Sequence, residues 1–347
     1  TFPIFSSVEK RSSQTPIMVP AFDFKEEQVI ATEKQIPIHA NFYGFDKNNN
    51  AGDKPVLVYI HRVPWDSRAN EFCAELAKTG KVAVVEPYLP GFASSYGNVP
   101  SHSMEANAEV VAALLEQTGI KKYHLLGHGL GGVAALELTN AHRDRVESVT
   151  LLSAPGVQAF ELLGNPLVNK IVYGFQGAFF WGVARLTPNF GAADLLPWDR
   201  DYAKTVFDTD LSENKKLLHQ LHRPLLIIHG EGDLLTPVDA AHYTAKLLPQ
   251  TRLKIYQGGR DVVFEQKESV IGEIVDFTNN PPRLGPPPPL SNPPIPYARG
   301  LHYWMLLLFI IVCTFVAEDP TCLASGLMVA VGILDFWSAT LACFVGI

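Results

Sequence analysis

Cysteine is scarce in this sequence, with four residues in 347, and three of them (Cys313, Cys322 and Cys343) fall in an apolar C-terminal tail. That leaves Cys73 alone in the remainder, which excludes a disulfide framework. No C-x-x-C pair or Cys/His cluster has zinc spacing, so no metal site is expected, and nothing calls for a cofactor. A basic stripe is also missing. The 28 Lys and Arg stand against 35 Asp and Glu, a net charge of −7, which argues against nucleic acid as a partner. What is present is a hydrophobic fraction of 47%, enough to bury the core of one large α/β domain with an appendage. The chain begins at Thr1 and stops at Ile347 inside an apolar run, as a fragment or a processed form would.

Residues 1–34 are polar without a clear period and read as a surface arm. From residue 35 to about 280, short apolar runs alternate with helical patterns. Strands are expected at 35–43, 56–60, 81–85, 122–126, 146–152, 224–228 and 252–256. Helices are expected at 69–78, 104–117 (behind an N-cap at Ser103), from 133 to Asn140, at 239–248 and at 264–278. Strands alternating with helices across short loops imply a mostly parallel sheet covered on both faces. From Ala154 to about Leu217 the rhythm stops. Phe160, Phe175, Phe179, Phe180 and Trp181, broken by Pro166, Pro188 and Pro197, suggest a helical cap over the carboxyl edge of the sheet.

Residues 281–296 hold nine prolines and form a linker that cannot build a packed core. At about 3.1 Å per residue in polyproline II it would reach roughly 50 Å. Residues 297–347 then carry two apolar runs. The first, Leu301–Ala317, is apolar except for His302 and Thr314, sits at the short limit for a membrane span, and has Tyr303 and Trp304 at one end. Arg283 and Arg299 precede it while Glu318 and Asp319 follow, which places the soluble domain on the cytoplasmic side of a membrane.

Four stretches carry the chemistry. Gly127-His128-Gly129-Leu130-Gly131 follows a strand and opens a helix, the setting of a G-x-S-x-G nucleophile elbow. Ile60-His61-Arg62-Val63-Pro64 ends the 56–60 strand, and Ile228-His229-Gly230-Glu231-Gly232-Asp233 ends a later one. Gly258-Gly259-Arg260-Asp261 follows the last strand. Together these resemble the α/β-hydrolase superfamily over about residues 35–278. The resemblance implies an α/β-hydrolase fold with a nucleophile position at Gly129, an acid position at Asp233 and a base position at Arg260. It also implies oxyanion-hole N–H groups at Val63 and Leu130, with His61, Arg62 and His128 around the pocket.

Triad chemistry needs a nucleophilic side chain, an imidazole and a carboxylate to orient it. Gly129 has no side chain, and arginine has donors but no acceptor, so Arg260 cannot serve as a general base. Arg260 beside Asp233 would form an ion pair, and Arg62 would intrude on the pocket. Other residues are weak substitutes. Ser153 lies at the wrong corner and reads as a loop hydroxyl, Cys73 as core, and Ser94 and Ser95 as loop residues. His61 is expected to bond within its own loop and His128 to pack beside the elbow. His102, His229 and Glu265 have no partner that sequence identifies.

The tail supplies a second resemblance. Val316-Ala-Glu-Asp-Pro-Thr-Cys-Leu-Ala-Ser-Gly-Leu-Met328, followed by residues 335–347, looks like the beginning of a DedA-type (SNARE-associated) membrane domain. That implies a partly re-entrant segment in which Glu318 and Asp319 are functional candidates. The expected function is a membrane-tethered pseudo-hydrolase that binds a small apolar or lipid-like ligand or regulates the attached membrane domain. The alternatives are a working hydrolase of small ester or other acyl-type substrates with an unusual nucleophile, and an accessory domain of a lipid- or proton-coupled transporter.

Overall fold

Eight strands build one sheet: β1 (Phe24–Ala31), β2 (Ile36–Tyr43), β3 (Val56–Ile60), β4 (Ala83–Pro87), β5 (Tyr123–His128), β6 (Val146–Leu152), β7 (Leu225–Gly230) and β8 (Arg252–Tyr256). Their spatial order is β1-β2-β4-β3-β5-β6-β7-β8. β2 pairs antiparallel with both β1 and β4, and all pairings from β4 to β8 are parallel. This computed structural model of the chain describes residues 24–31, 36–46, 50–92, 101–157, 170, 174, 200–233, 235–284, 300–316, 318–330 and 334–346.

Alternation along the parallel strands sends side chains to two separate cores, as a sheet buried on both faces requires. Val58, Ile60, Leu125, Leu151 and Ile227 face one side, against α2 (Met104–Gln117), α3 (Gly131–Ala141) and α6 (Val238–Leu247). Leu57, Tyr59, Leu126, Leu152 and Ile228 face the other, against α1 (Arg68–Lys78) and α8 (Lys267–Asn279). α1 contributes Phe72 and Leu76, fully buried, while its Glu75 and Lys78 form an ion pair on the outer side. Truncating Phe72 to alanine would cost about 3–5 kcal/mol at such a site. Ser103 caps α2, its Oγ accepting from the Ala106 N–H. The chain leaves β3 toward β4 on one side and returns to β5 on the other. The carboxyl ends of β3 and β5 therefore flank the switch point where α/β sheets bind ligands.

Several expectations need correction. Residues 24–31 belong to the sheet as β1 rather than to a surface arm, while residues 1–23 and 32–35 lie outside the described residues. The strand expected at 81–85 runs two residues later, and the last helix is two, α7 (Val262–Glu265) and α8, broken at Gln266. Of the expected cap, α4 (Arg200–Asp208), a 3-10 turn (Leu211–Glu213) and α5 (Asn214–His219) are described, whereas Phe160, Phe175, Phe179, Phe180 and Trp181 lie outside. So does most of the proline segment.

The tail forms α9 (Gly300–Val316), α10 (Glu318–Ala330) and α11 (Phe336–Gly346) around Leu306, Ile310, Leu334, Ala339 and Ala342. The Tyr303 hydroxyl donates to the Asp335 carboxylate at 2.9 Å. The segment opened by Glu318 and Asp319 is a helix of 13 residues. α9 has 17 residues, about 25 Å at ~1.5 Å per residue. No helix among the described residues is long and apolar enough to cross a membrane.

Candidate functional site

β5 ends at His128, and the chain turns at Gly129 with φ +54° before entering α3. That backbone region penalises any Cβ, so glycine relieves the strain a nucleophile would bear there. The Gly129 N–H donates to Leu152 O at 2.9 Å, fixing the turn against the end of β6. Close approach explains Gly131, where an added Cβ would lie 2.3 Å from Ile60 O and 2.6 Å from His61 O. α3 is thereby pressed against the end of β3, which brings the elbow and the 61–66 loop together.

That loop is fixed by its own side chains. His61 is fully buried, and its Nε2 accepts from the Leu89 N–H at 3.0 Å, so Nδ1 carries the proton and donates to Arg62 O at 2.7 Å. Burial, partly opposed by the Arg62 carbonyl, brings its pKa down to about 4, and the ring is neutral near pH 7. Val63, whose peptide bond to Pro64 is cis, is buried.

Arg62 does lie over the elbow, but through its stem. Its Cβ is 3.1 Å from the position a Gly129 Cβ would take, while its guanidinium turns away to Asp66 and to Asp261 Oδ1 at 2.7 Å. Arg68 joins the same carboxylates, at 2.7 Å to Asp66 and 3.0 Å to Asp261, and stacks over the Phe264 ring at 4.6 Å. Burial alone would raise the Asp66 pKa, yet the Arg68 hydrogen bonds and the Arg62 charge outweigh it and hold it at about 2. Asp261 is lowered in the same way, burial being overcome by Arg62 and Arg68. Sequence reasoning missed this staple between the loops after β3 and β8. Arg62 and Asp66 lie in a loop, where sequence spacing does not fix which side chains meet.

Asp233 is buried, and its Oδ1 accepts from the N–H groups of Leu235 and Thr236 at 2.9 and 3.0 Å. Its Oδ2 has no hydrogen-bond partner among the described residues and lies 3.8 Å from His229 Nε2, which donates instead to Thr236 O at 2.8 Å. The expected ion pair with Arg260 is not formed: the two do not come within ion-pairing distance among the described residues. Arg260 points to the elbow instead. Its Nη2 lies 3.0 Å from the position a Gly129 Cβ would occupy, so a guanidinium stands over the place of the absent nucleophile.

The sequence matches the Alpha/beta hydrolase family over residues 59–331. The chain belongs to that family. An uncharacterized protein of Mycobacterium tuberculosis is 26% identical over 263 residues, covering 65% of this chain and 75% of its own length. Among solved structures, a thermophilic esterase from Thermogutta terrifontis is similar with TM-score 0.56 and 20% identity, over 74% of this chain and 98% of that one. The esterase RhEst1 from Rhodococcus sp. ECU1013 gives the same TM-score and identity over 73% and 98%. These structures show the fold. The resemblance of the tail to a DedA-type membrane domain finds no support among the matches.

Two other polar residues sit at this family's catalytic edge. His128 is fully buried, its Nδ1 is 2.8 Å from the Tyr59 hydroxyl, and its Nε2 has no partner among the described residues. Burial, then the Arg62 and Arg260 charges, push its pKa well down, so it is neutral. Ser153 follows β6 with φ +42°, the one positive-φ residue other than glycine among those described. Its buried Oγ lacks a partner there. No group of three His, Cys, Asp or Glu among the described residues is arranged to hold a metal ion.

Proposed function

We propose that this α/β-hydrolase-family domain does not carry out triad hydrolysis and acts as a ligand-binding or regulatory domain. The observation that carries the reading is the Arg260 guanidinium 3.0 Å from the Cβ position of Gly129. The nucleophile is absent, the residue at the base position cannot accept a proton, and that residue's charge fills the approach to the elbow. The base position offers the buried Asp233 carboxylate no imidazole, and the ring 3.8 Å from it, that of His229, donates from Nε2 to Thr236 O.

A second reading is a working hydrolase of small ester or other acyl-type substrates with an unusual nucleophile. The family itself and the neighbours named as esterases favour it. Ser153 would be its nucleophile, because a strained, positive-φ serine at a strand end is what such an elbow provides. Labelling of the full chain with a fluorophosphonate, alongside release of p-nitrophenol from its acetate and butyrate esters, separates the two. No labelling and no turnover are expected of the native chain, with turnover appearing in Gly129→Ser/Arg260→His together but not in Gly129→Ser alone. Turnover by the native chain that disappears in Ser153→Ala establishes the second reading.

We further propose that α9–α11 hold the protein to a lipid membrane, with the hydrolase-family domain on the cytoplasmic side. Trp304, Leu308, Phe309, Trp337, Leu341 and Phe344 are each more than two-fifths exposed on these helices, which supports a lipid-covered face.

A further inference from the structure

The chain leaves the hydrolase-family domain at one definite edge of the sheet. Arg252, which opens β8, pairs at 2.8 Å with Asp276 in the last turn of α8, while Gln266, just before α8, donates to the Gln257 carbonyl after β8. α8 therefore runs back beside β8 and ends at Asn279 on the amino edge of the parallel strands, opposite the elbow. The tail, with the exposed apolar side chains of α9–α11, follows from there.

That amino edge is basic. Lys121 and Lys122 precede β5, Arg143 and Arg145 precede β6, and Arg223 precedes β7. The carboxylates around them are Glu116 at the end of α2, Asp144, and Glu147 in β6, so five cations stand against three anions on a chain of net charge −7. The cations come from separate loops and form no run in the sequence. None of the three arginines pairs with a carboxylate among the described residues. Arg143 donates to Asn140 Oδ1 at 2.7 Å, Arg145 to Ile120 O at 2.6 Å and Arg223 to Val146 O at 2.6 Å. Neutral acceptors satisfy the donors and leave the charge uncancelled. Lys121, Lys122 and Arg143 are exposed, as is Arg283 just past the end of α8. At the carboxyl edge the balance is reversed. Arg62 and Arg68 are neutralised by Asp66 and Asp261, and Glu231, Asp233 and Glu265 stand against Arg260.

We infer that the amino edge docks on an anionic lipid surface, with the elbow turned away from it. The inference rests on the reading that α9–α11 hold the protein to a membrane. The tail then keeps the edge from which it leaves closest to the headgroups, and charge decides how that edge is received. Lys and Arg near an anionic leaflet are drawn to it over about a Debye length, roughly 10 Å at 0.1 M salt, whereas an edge rich in carboxylates is repelled. Exit point and charge select the same edge.

The test floats the full chain with vesicles of phosphatidylcholine alone and of equimolar phosphatidylcholine and phosphatidylserine, at about 0.1 M and about 1 M salt. At the lower salt the native chain should partition at least about tenfold more strongly to the phosphatidylserine vesicles, and at the higher salt that preference should vanish. Lys121→Gln/Lys122→Gln/Arg143→Gln should lose most of the preference while binding phosphatidylcholine vesicles as the native chain does. Arg260→Gln, at the opposite edge, should keep it. Equal partitioning of the native chain to both vesicles at the lower salt, a preference that the triple variant retains, or one that Arg260→Gln loses would each overturn the inference. If the triple variant does not fold, the salt dependence of the native chain still decides. Partitioning to phosphatidylcholine reports separately on the tail. A native chain that floats with phosphatidylcholine and gains nothing from phosphatidylserine leaves the tail reading standing and removes the docking edge. One that floats only with phosphatidylserine, and no longer does so in the triple variant, removes the tail as anchor and keeps the edge.

Discussion

At position 129 two physical demands meet. The backbone sits at φ +54°, and the space a side chain would enter is bounded by Arg260 Nη2 at 3.0 Å and Arg62 Cβ at 3.1 Å. Gly129→Ala should therefore destabilise the protein by about 1–3 kcal/mol, from backbone strain with crowding added. Urea denaturation of Gly129→Ala, Arg260→Ala and the double variant separates the contributions. If the guanidinium crowds the site, the alanine costs less once Arg260 is truncated, whereas an equal cost in both backgrounds means that Arg260 moves aside freely. The sequence made the substitutions at 129 and 260 legible, because motif spacing assigns positions to strand ends. It could not say where a long side chain turns. Arg260 was expected on Asp233 and lies over Gly129, while Arg62 was expected in the pocket and sends its charge to Asp66 and Asp261. The rotatable bonds of an arginine side chain, which ends in a planar guanidinium, separate the residue's position from its charge.

Among elements, legibility followed burial. β3, β6, β8 and α2 fall where periodicity placed them, since apolar runs mark buried strands and Ser103 marks a helix start. β1 was missed because its sequence, FKEEQVIA, has no apolar alternation, as is common at a sheet edge. The pairing of β2 with β4 rests on a buried polar network that no periodicity could show. Asn41 lies opposite Glu86 in the register, Tyr43 donates its hydroxyl to Glu86 at 2.8 Å, and Asn41 Nδ2 donates to Glu86 at 3.2 Å and to Tyr88 at 2.7 Å. Burial raises the Glu86 pKa to about 7 from 4.5, with the Tyr43 and Asn41 hydrogen bonds opposing it. The native state thus holds a proton that the unfolded state has lost between these two values. Stability should fall as pH rises through that window, by roughly 3 kcal/mol in all, and level off above it. Glu86→Gln removes the titration, so its urea midpoint should change less than that of the native chain between pH 5 and pH 8. Parallel slopes for the two proteins would show that Glu86 stays ionised in the fold.

For the molecule as a whole, the sheet and the tail follow different solvent rules. In the hydrolase-family domain the large apolar side chains are turned inward from both faces of the sheet. On α9–α11 the pattern reverses: Trp304 is 67% exposed, Leu308 62%, Trp337 79% and Phe344 75%, around a core of five buried residues. Composition made the apolar tail plain but not its architecture, because helices apolar all round leave no period to tell inside from outside. Helices of 17, 13 and 11 residues are short against a hydrocarbon layer of about 30 Å, so their lipid contact would be partial or interfacial. Flotation of the full chain with phosphatidylcholine vesicles tests that proposal. The native chain is expected in the vesicle fraction, and Leu308→Glu/Trp337→Glu/Phe344→Glu in the aqueous fraction. Those side chains face outward, so the thermal midpoint of the hydrolase-family domain should be unchanged. A triple variant that still floats would remove these helices as the attachment. A native chain that stays aqueous and sediments as an oligomer would show that the same face is covered by protein instead.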